Sequence, residues 1–123
     1  MCKRGDVFFA DLGRDFSTSI QNGIRPVLIV SNDMANTHSP VVTIVPLTGQ
    51  VHKKESLPTH VYIPKNCGSG LSRPSVALAE QVSSISKSQL QDYKGHITDR
   101  SIMDAVTTAL QVQIGAGSPL SIL

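Results

Sequence analysis

Arg25-Pro26-Val27-Leu28-Ile29-Val30 is the stretch from which the fold can be read: an arginine, then an unbroken apolar run rich in β-branched residues. Such a run is short enough for a buried strand, and Pro26 fits its first residue, where a missing N–H is tolerated. On its N-terminal side, Val7-Phe8-Phe9-Ala10 reads as a second strand, closed by Asp11-Leu12-Gly13. The polar or small residues 14–24 between the two form a long loop, and long loops held by rigid scaffolds carry function more often than short ones. On the C-terminal side, Ser31-Asn32-Asp33 and Asn36-Thr37-His38-Ser39-Pro40 read as a turn-rich link to Val41-Val42-Thr43-Ile44-Val45. Pro46 should end or bend that strand before Leu47-Thr48-Gly49.

Beyond a second polar loop at residues 50–58, Thr59-His60-Val61-Tyr62-Ile63 alternates as a half-buried strand does. Asn66-Cys67-Gly68-Ser69-Gly70 reads as a flexible turn, and Ser75 to Val82 as a further strand. Two helices are expected. The first is capped at Ser86, with Gln89 completing a capping box and Ile85 and Leu90 at the staple positions, and should run to Gly95, with His96-Ile97 as a brief edge strand. The second starts from Asp99, aligns Ile102, Val106, Ala109 and Leu110 on one face, and ends at Gly115-Ala116-Gly117. Many short strands, few helices and no βαβ spacing predict a mainly β fold, a small closed or partly closed antiparallel sheet with function on its rim loops.

Length bounds this to one domain, expected over residues 1–117 with a short tail at 118–123. A net charge of +2 lacks the strong basic excess of proteins held mainly by phosphate attraction, so charge alone does not nominate a nucleic acid. The 40% hydrophobic and 16% charged composition argues against disorder and leaves apolar surface for a partner or a second copy. Cys2 and Cys67, the only cysteines, make no zinc spacing and no disulfide framework, and Cys67 reads as a loop thiol. The start Met1 to Asp6 does not read as a signal peptide and no apolar run approaches membrane-spanning length, so a cytoplasmic location without membrane contact is expected.

Metal chemistry finds no ligand cluster: His38, His52, His60 and His96 are scattered, and no His-x-x-x-His, Asp-x-Asp or glycine-rich phosphate cradle exists, so neither metal nor cofactor is expected. No Gly-x-Ser-x-Gly elbow supports a serine hydrolase, and nothing near Cys67 is placed to form its thiolate. The informative pair is Arg25 and Thr48, each at a junction between a buried strand and a polar loop. Such junctions let a rigid scaffold aim a side chain at a ligand. Pattern alone equally allows Arg25 as a solvated strand-end residue and Thr48 as an ordinary strand or turn residue.

Ordered motifs go further. Arg4-Gly5-Asp6-Val7-Phe8-Phe9-Ala10-Asp11-Leu12 resembles the opening of the MazF/PemK family of toxin endoribonucleases, as does Gly23-Ile24-Arg25-Pro26-Val27-Leu28-Ile29-Val30-Ser31-Asn32-Asp33. Pro46-Leu47-Thr48, Pro58-Thr59-His60-Val61, Ser75 to Val82 and the helix from Asp99 follow in family order, over about residues 3–115. The resemblance implies an SH3-like or CcdB-like barrel with a short helix and a C-terminal helix, working as a homodimer. It further implies cleavage of single-stranded RNA (mRNA) at short preferred sequences, leaving 2',3'-cyclic phosphate and 5'-hydroxyl ends, and neutralisation by a cognate antitoxin. By position it makes Arg25 and Thr48 catalytic.

That implication is chemically consistent. If the ribose 2'-OH attacks its own 3' phosphate, the protein need only align the reactants and offset charge, for which the fork of donors on Arg25 is suited. A guanidinium is a donor only and a threonine hydroxyl is a poor base, so neither residue fits a conventional base. RNA reading is expected from the loops: Phe16, Ser19, Gln21 and Asn22 in the first, His52, Lys53 and Lys54 in the second, with Glu80 and Gln81 at a strand end ranked lower. Relatives commonly carry Gln-Gly-Gly before the matching Arg-Pro, where this chain has Gln21-Asn22-Gly23, and Asn22 could take up a left-handed turn. Two other readings stay open: a toxin of the same fold that poisons a protein target such as DNA gyrase, and a domain that binds RNA or antitoxin without cutting.

Overall fold

The computed structural model describes residues 2–14, 20–51 and 57–116. Seven strands are connected in one antiparallel system: β1 (Asp6–Asp11), β2 (Ile24–Ile29), β3 (Val41–Thr48), β4 (His60–Ile63), β5 (Ser75–Leu78), β6 (Ser83–Ser86) and β7 (Leu90–His96). The order is β4-β5-β3-β2-β1-β7, with β6 also on β3, and β4 and β7 are not paired with each other, so the sheet is open. Two helices join it, α1 (Asp33–His38) and α2 (Arg100–Gln113). Among the described residues no helix is long and apolar enough to cross a membrane.

The continuous apolar run in β2 has a simple cause, for both of its faces are packed. Val27 and Ile29 join one core with Ala10, Val42, Ile44 and Ile85, while Leu28 and Val30 join another with Val7, Val45, Leu47, Ile97, Ile102 and Val106. Strand β3 divides likewise, Val42 and Ile44 toward one core and Val45 and Leu47 toward the other, as the two-residue strand period requires. Helix α2 covers the second core with Ile102 and Val106, flanked by Met103 and Leu110; Asp99 caps its start by accepting from Ser101 N at 2.9 Å, and Gly115 takes a left-handed φ of 76° just past its end.

Several expectations are corrected by longer-range packing. Pro46 does not end β3; instead the strand changes partners around it, pairing with β2 through Ile44–Pro46 and with β5 at Leu47 and Thr48. Pro26 is not the first residue of its strand, since β2 begins at Ile24 and pairs with β1 from there, whereas its ladder with β3 begins only at Val27. The long strand expected over Ser75–Val82 is broken by a 3₁₀ turn at Ala79–Gln81. Thr48 opposes Val76, and an unbroken register would bring Glu80 to Ile44; Ser83 stands there instead, three residues on.

The helix expected from Ser86 to Gly95 is one 3₁₀ turn, Lys87–Gln89, followed by β7. The capping box is real, with Ser86 N donating to Gln89 Oε1 at 2.9 Å. It governs a single turn because the next residues complete the edge of β1, Ala10 facing Leu90 and Asp6 facing His96. Gly95 is thus no helix stop. A Cβ there would collide with Gly68 O, so it is glycine because the 66–70 segment lies directly on the β7 backbone. That segment is correspondingly packed: Ser69 is buried, and Cys67, far from being a loose loop thiol, is buried with its Sγ 3.1 Å from Pro64 O. Helix α1, expected as a turn-rich link, shows no apolar periodicity; it is held by the Asn32 cap on Ala35 N and by Asn36, fully buried and bonded to Ser31 and Asp33.

Candidate active site

Strand β3 is antiparallel to both β2 and β5, so those two neighbours run the same way and both start beside its C-terminal end. The β2–β3 register sets Val27 opposite Pro46; continued past the two prolines it brings Arg25 opposite Thr48. Because Pro26 has no N–H for the β3 side and the ladder stops at Val27, the two strands are free to part there. An open cavity of about 250 Å³ occupies that end of the sheet, lined by Arg25, Pro26, Leu47, Gly49, Arg73 and Phe9 among others.

Arg25 is exposed on the cavity wall, and its Nε donates to Asn22 O at 2.9 Å. Its two terminal nitrogens have no partner among the described residues and remain available to a ligand. Thr48 is 7% exposed and sits between the wall residues Leu47 and Gly49 without itself lining the cavity. Its Oγ1 accepts from Gln50 N at 3.3 Å, and its own hydroxyl proton is not committed to a described acceptor. The pair therefore offers donors, a cationic fork and a hydroxyl, at one strand end. Among the described residues lining the cavity there is no His, Asp or Glu to act as a base.

The other expected contacts fall into two linked groups. Gln21 N donates to Gln81 Oε1 at 2.8 Å, tying the loop before β2 to the 3₁₀ turn after β5. Glu80 in the same turn accepts from Thr59 Oγ1 at 2.9 Å and lies 2.9 Å from His60 Nε2. Burial pushes the Glu80 carboxyl up, but His60, Thr59 and its own backbone N–H outweigh that and hold it below the usual carboxylate range. Asn22 does not take a left-handed conformation, since among the described residues only glycines have positive φ; Gly23, at 72°, makes the turn. The Gln21-Asn22-Gly23 departure is therefore absorbed by the glycine it retains, while Asn22 O holds Arg25. Phe16, Ser19, His52, Lys53 and Lys54 lie outside the described residues, as does the tail at 118–123.

Sequence reasoning missed Arg73. It shares the cavity wall with Arg25, its Nη2 lies 3.8 Å from where a Cβ on Gly49 would stand, and it has no partner among the described residues. The signal was present: Arg25-Pro26 and Arg73-Pro74 are the chain's two Arg-Pro pairs, each at the start of an apolar strand. Only the strand order reveals that both strands start at the same place.

Comparison with known proteins agrees with this architecture. Residues 3–114 match the family described as PemK-like, MazF-like toxin of type II toxin-antitoxin system. The chain is 43% identical over 112 residues, 91% of its length and 93% of the relative's, to Endoribonuclease EndoA of Bacillus subtilis (strain 168). It is 38% identical over 115 residues, 94% of its length and 92% of the relative's, to Endoribonuclease MazF of Staphylococcus saprophyticus. Among solved structures, an endoribonuclease in complex with its cognate antitoxin from Mycobacterial species superposes with a TM-score of 0.77 at 30% identity, covering 97% of this chain and all of that one. The chain belongs to the PemK-like, MazF-like toxins of type II toxin–antitoxin systems.

Proposed function

We propose that this MazF-like endoribonuclease toxin cleaves single-stranded RNA with Arg25 and Thr48 acting on one phosphate. The observation that supports the reading is that β2 begins and β3 ends beside one cavity, with Arg25 on its wall and Thr48 between its lining residues Leu47 and Gly49. In this reading the ribose 2'-OH attacks the adjacent phosphorus. The O5' bond breaks, leaving a 2',3'-cyclic phosphate upstream and a 5'-hydroxyl downstream. Arg25 directs its two terminal nitrogens at the non-bridging oxygens as negative charge builds on the five-coordinate phosphorus, a preorganised stabilisation because Asn22 O already fixes the guanidinium. Thr48 donates a hydrogen bond through its hydroxyl to the same phosphate, while solvent takes the proton from the attacking 2'-OH and returns one to the departing O5'.

Gln21, Asn22, Glu80 and Gln81, together with Phe16, Ser19, His52, Lys53 and Lys54, are assigned to the flanking nucleotides. The toxin works in the cytoplasm as a homodimer held in check by a cognate antitoxin. An unstructured RNA and a copy with a single 2'-deoxy nucleotide at the mapped cut, incubated in excess chelator, decide the mechanism. Cutting restricted to the all-ribose strand is expected; equal cutting of the deoxy strand refutes attack by the 2'-OH, and RNA left intact by pure protein refutes nuclease activity.

A further inference from the structure

We propose that Arg73 is a second phosphate-contacting residue of this cavity, holding the RNA backbone in the ground state while Arg25 acts at the transition state; this rests on the reading of Arg25 and Thr48 given above. Topology places it there. β5 pairs Val76 with Thr48, so continuing that register sets Ser75, the first residue of β5, opposite Gly49, and Arg73 lies just upstream on the side of β3 away from β2. Arg25 and Arg73 thus flank the end of β3 from its two sides and line one cavity. Each precedes a proline, which disfavours helical backbone at the arginine and keeps both approaches to the cavity extended.

Two guanidiniums on one open cavity suit an anion, since like charges gathered without an acidic partner are relieved by a shared counter-ion. Among the described residues, the lining includes no Asp or Glu and neither arginine has a carboxylate partner. The two differ in one respect. Arg25 is anchored through Nε before ligand arrives, whereas Arg73 has no anchor among the described residues and is free to settle on binding. Prior orientation favours stabilisation of developing charge, and a free side chain gives binding that is equal in ground and transition states. The same cavity is lined by the apolar Phe9, Pro26, Leu47 and Leu71 and by the hydroxyls of Ser72 and Ser75, so the two guanidiniums are its only charged groups among the described residues.

The test uses two readouts. Cleavage kinetics of Arg73→Ala should show KM raised about tenfold with kcat within about twofold, the signature of lost uniform binding. Binding of the uncleavable 2'-deoxy RNA, measured against salt, should lose about 0.7 from the slope of log K on log salt, the value for one phosphate contact on a single strand. Arg73→Lys should keep most of that slope and recover part of the KM. An unchanged KM and salt slope in Arg73→Ala, with Arg25→Ala inactive, overturns the role of Arg73 and leaves that of Arg25 standing. Should the wild type fail to cut RNA, the parent reading falls, and the salt slope on uncleavable RNA still decides whether Arg73 meets a phosphate.

Discussion

Arg4 and Arg25 carry the same side chain, stand close to neighbouring strands, and meet opposite fates. The guanidinium of Arg4 is used up within the fold: one nitrogen bonds Val30 O and another bonds Thr107 Oγ1 at 2.5 Å, tying the end of β2 to α2. Its backbone N–H donates to Asp33 Oδ1 at 2.7 Å and, with Asn36, holds that carboxyl below its ordinary value. Arg25 gives up only Nε, to Asn22 O, and turns its other donors to an open cavity. A planar fork of donors becomes a staple where protein acceptors surround it and keeps donors open to a ligand where few do. Position on the sheet, not residue type, decides how many of those donors the fold consumes.

The contrast can be broken most easily at Arg25. Replacing it with Ala should lower the single-turnover cleavage rate about 100- to 1,000-fold, the range for removing a preorganised donor, with the melting midpoint within about 2 °C of wild type. A variant that cuts normally ends the assignment. Thr48→Val, which keeps shape but removes the hydroxyl, should cost about 10- to 100-fold in rate, and Thr48→Ser should stay within a few fold of wild type. Equal activity of the Val and Ser variants would show that the hydroxyl has no part.

At Arg4 the expectation reverses. Arg4→Ala leaves Val30 O without its donor, at about 1–3 kcal/mol, so the midpoint should fall by about 5 °C or more while the rate per folded molecule holds. A normal midpoint with lost cleavage would move Arg4 into the site. The smallest effect concerns Glu80. Its carboxyl titrates below its ordinary value when folded, so its contribution is complete above the unfolded value and is lost as pH falls through the depressed folded one. Being partly exposed, it should be worth less than about 1 kcal/mol, seen as a flatter acid limb of stability in Glu80→Gln. An acid limb of unchanged slope would show that the His60–Glu80 contact adds nothing to folding.

What could be read from the chain follows the same division. β2 was legible because packing on both faces writes an unbroken apolar run, the first part of β3 because its β-branched residues follow a turn-rich segment, and α2 because its cap and one apolar stripe are local. α1 was not, since its stability comes from Asn32 and the buried amide of Asn36 and not from any apolar repeat. The capping box at Ser86 was legible as a start, but its length was set by the edge of β1, most of a chain length away. At the candidate site, Arg25 and Thr48 stood out only as residues at strand–loop junctions, and the family resemblance, not the pattern, nominated them as catalytic. The Gln21–Gln81 bond, between residues 60 apart, and the arrival of Arg73 at Gly49 depend on strand order and register, which no local pattern encodes.

The claim that Arg25 and Thr48 serve a single phosphate is tested most directly by a double-mutant cycle on the cleavage rate with Arg25→Ala, Thr48→Val and the pair, each corrected for folded fraction. Groups acting as a unit lose most of their effect together, so the double variant should be little slower than Arg25→Ala alone, with a coupling of about 1 kcal/mol or more. Losses that multiply, leaving no coupling, would mean that the two side chains act on different parts of the substrate.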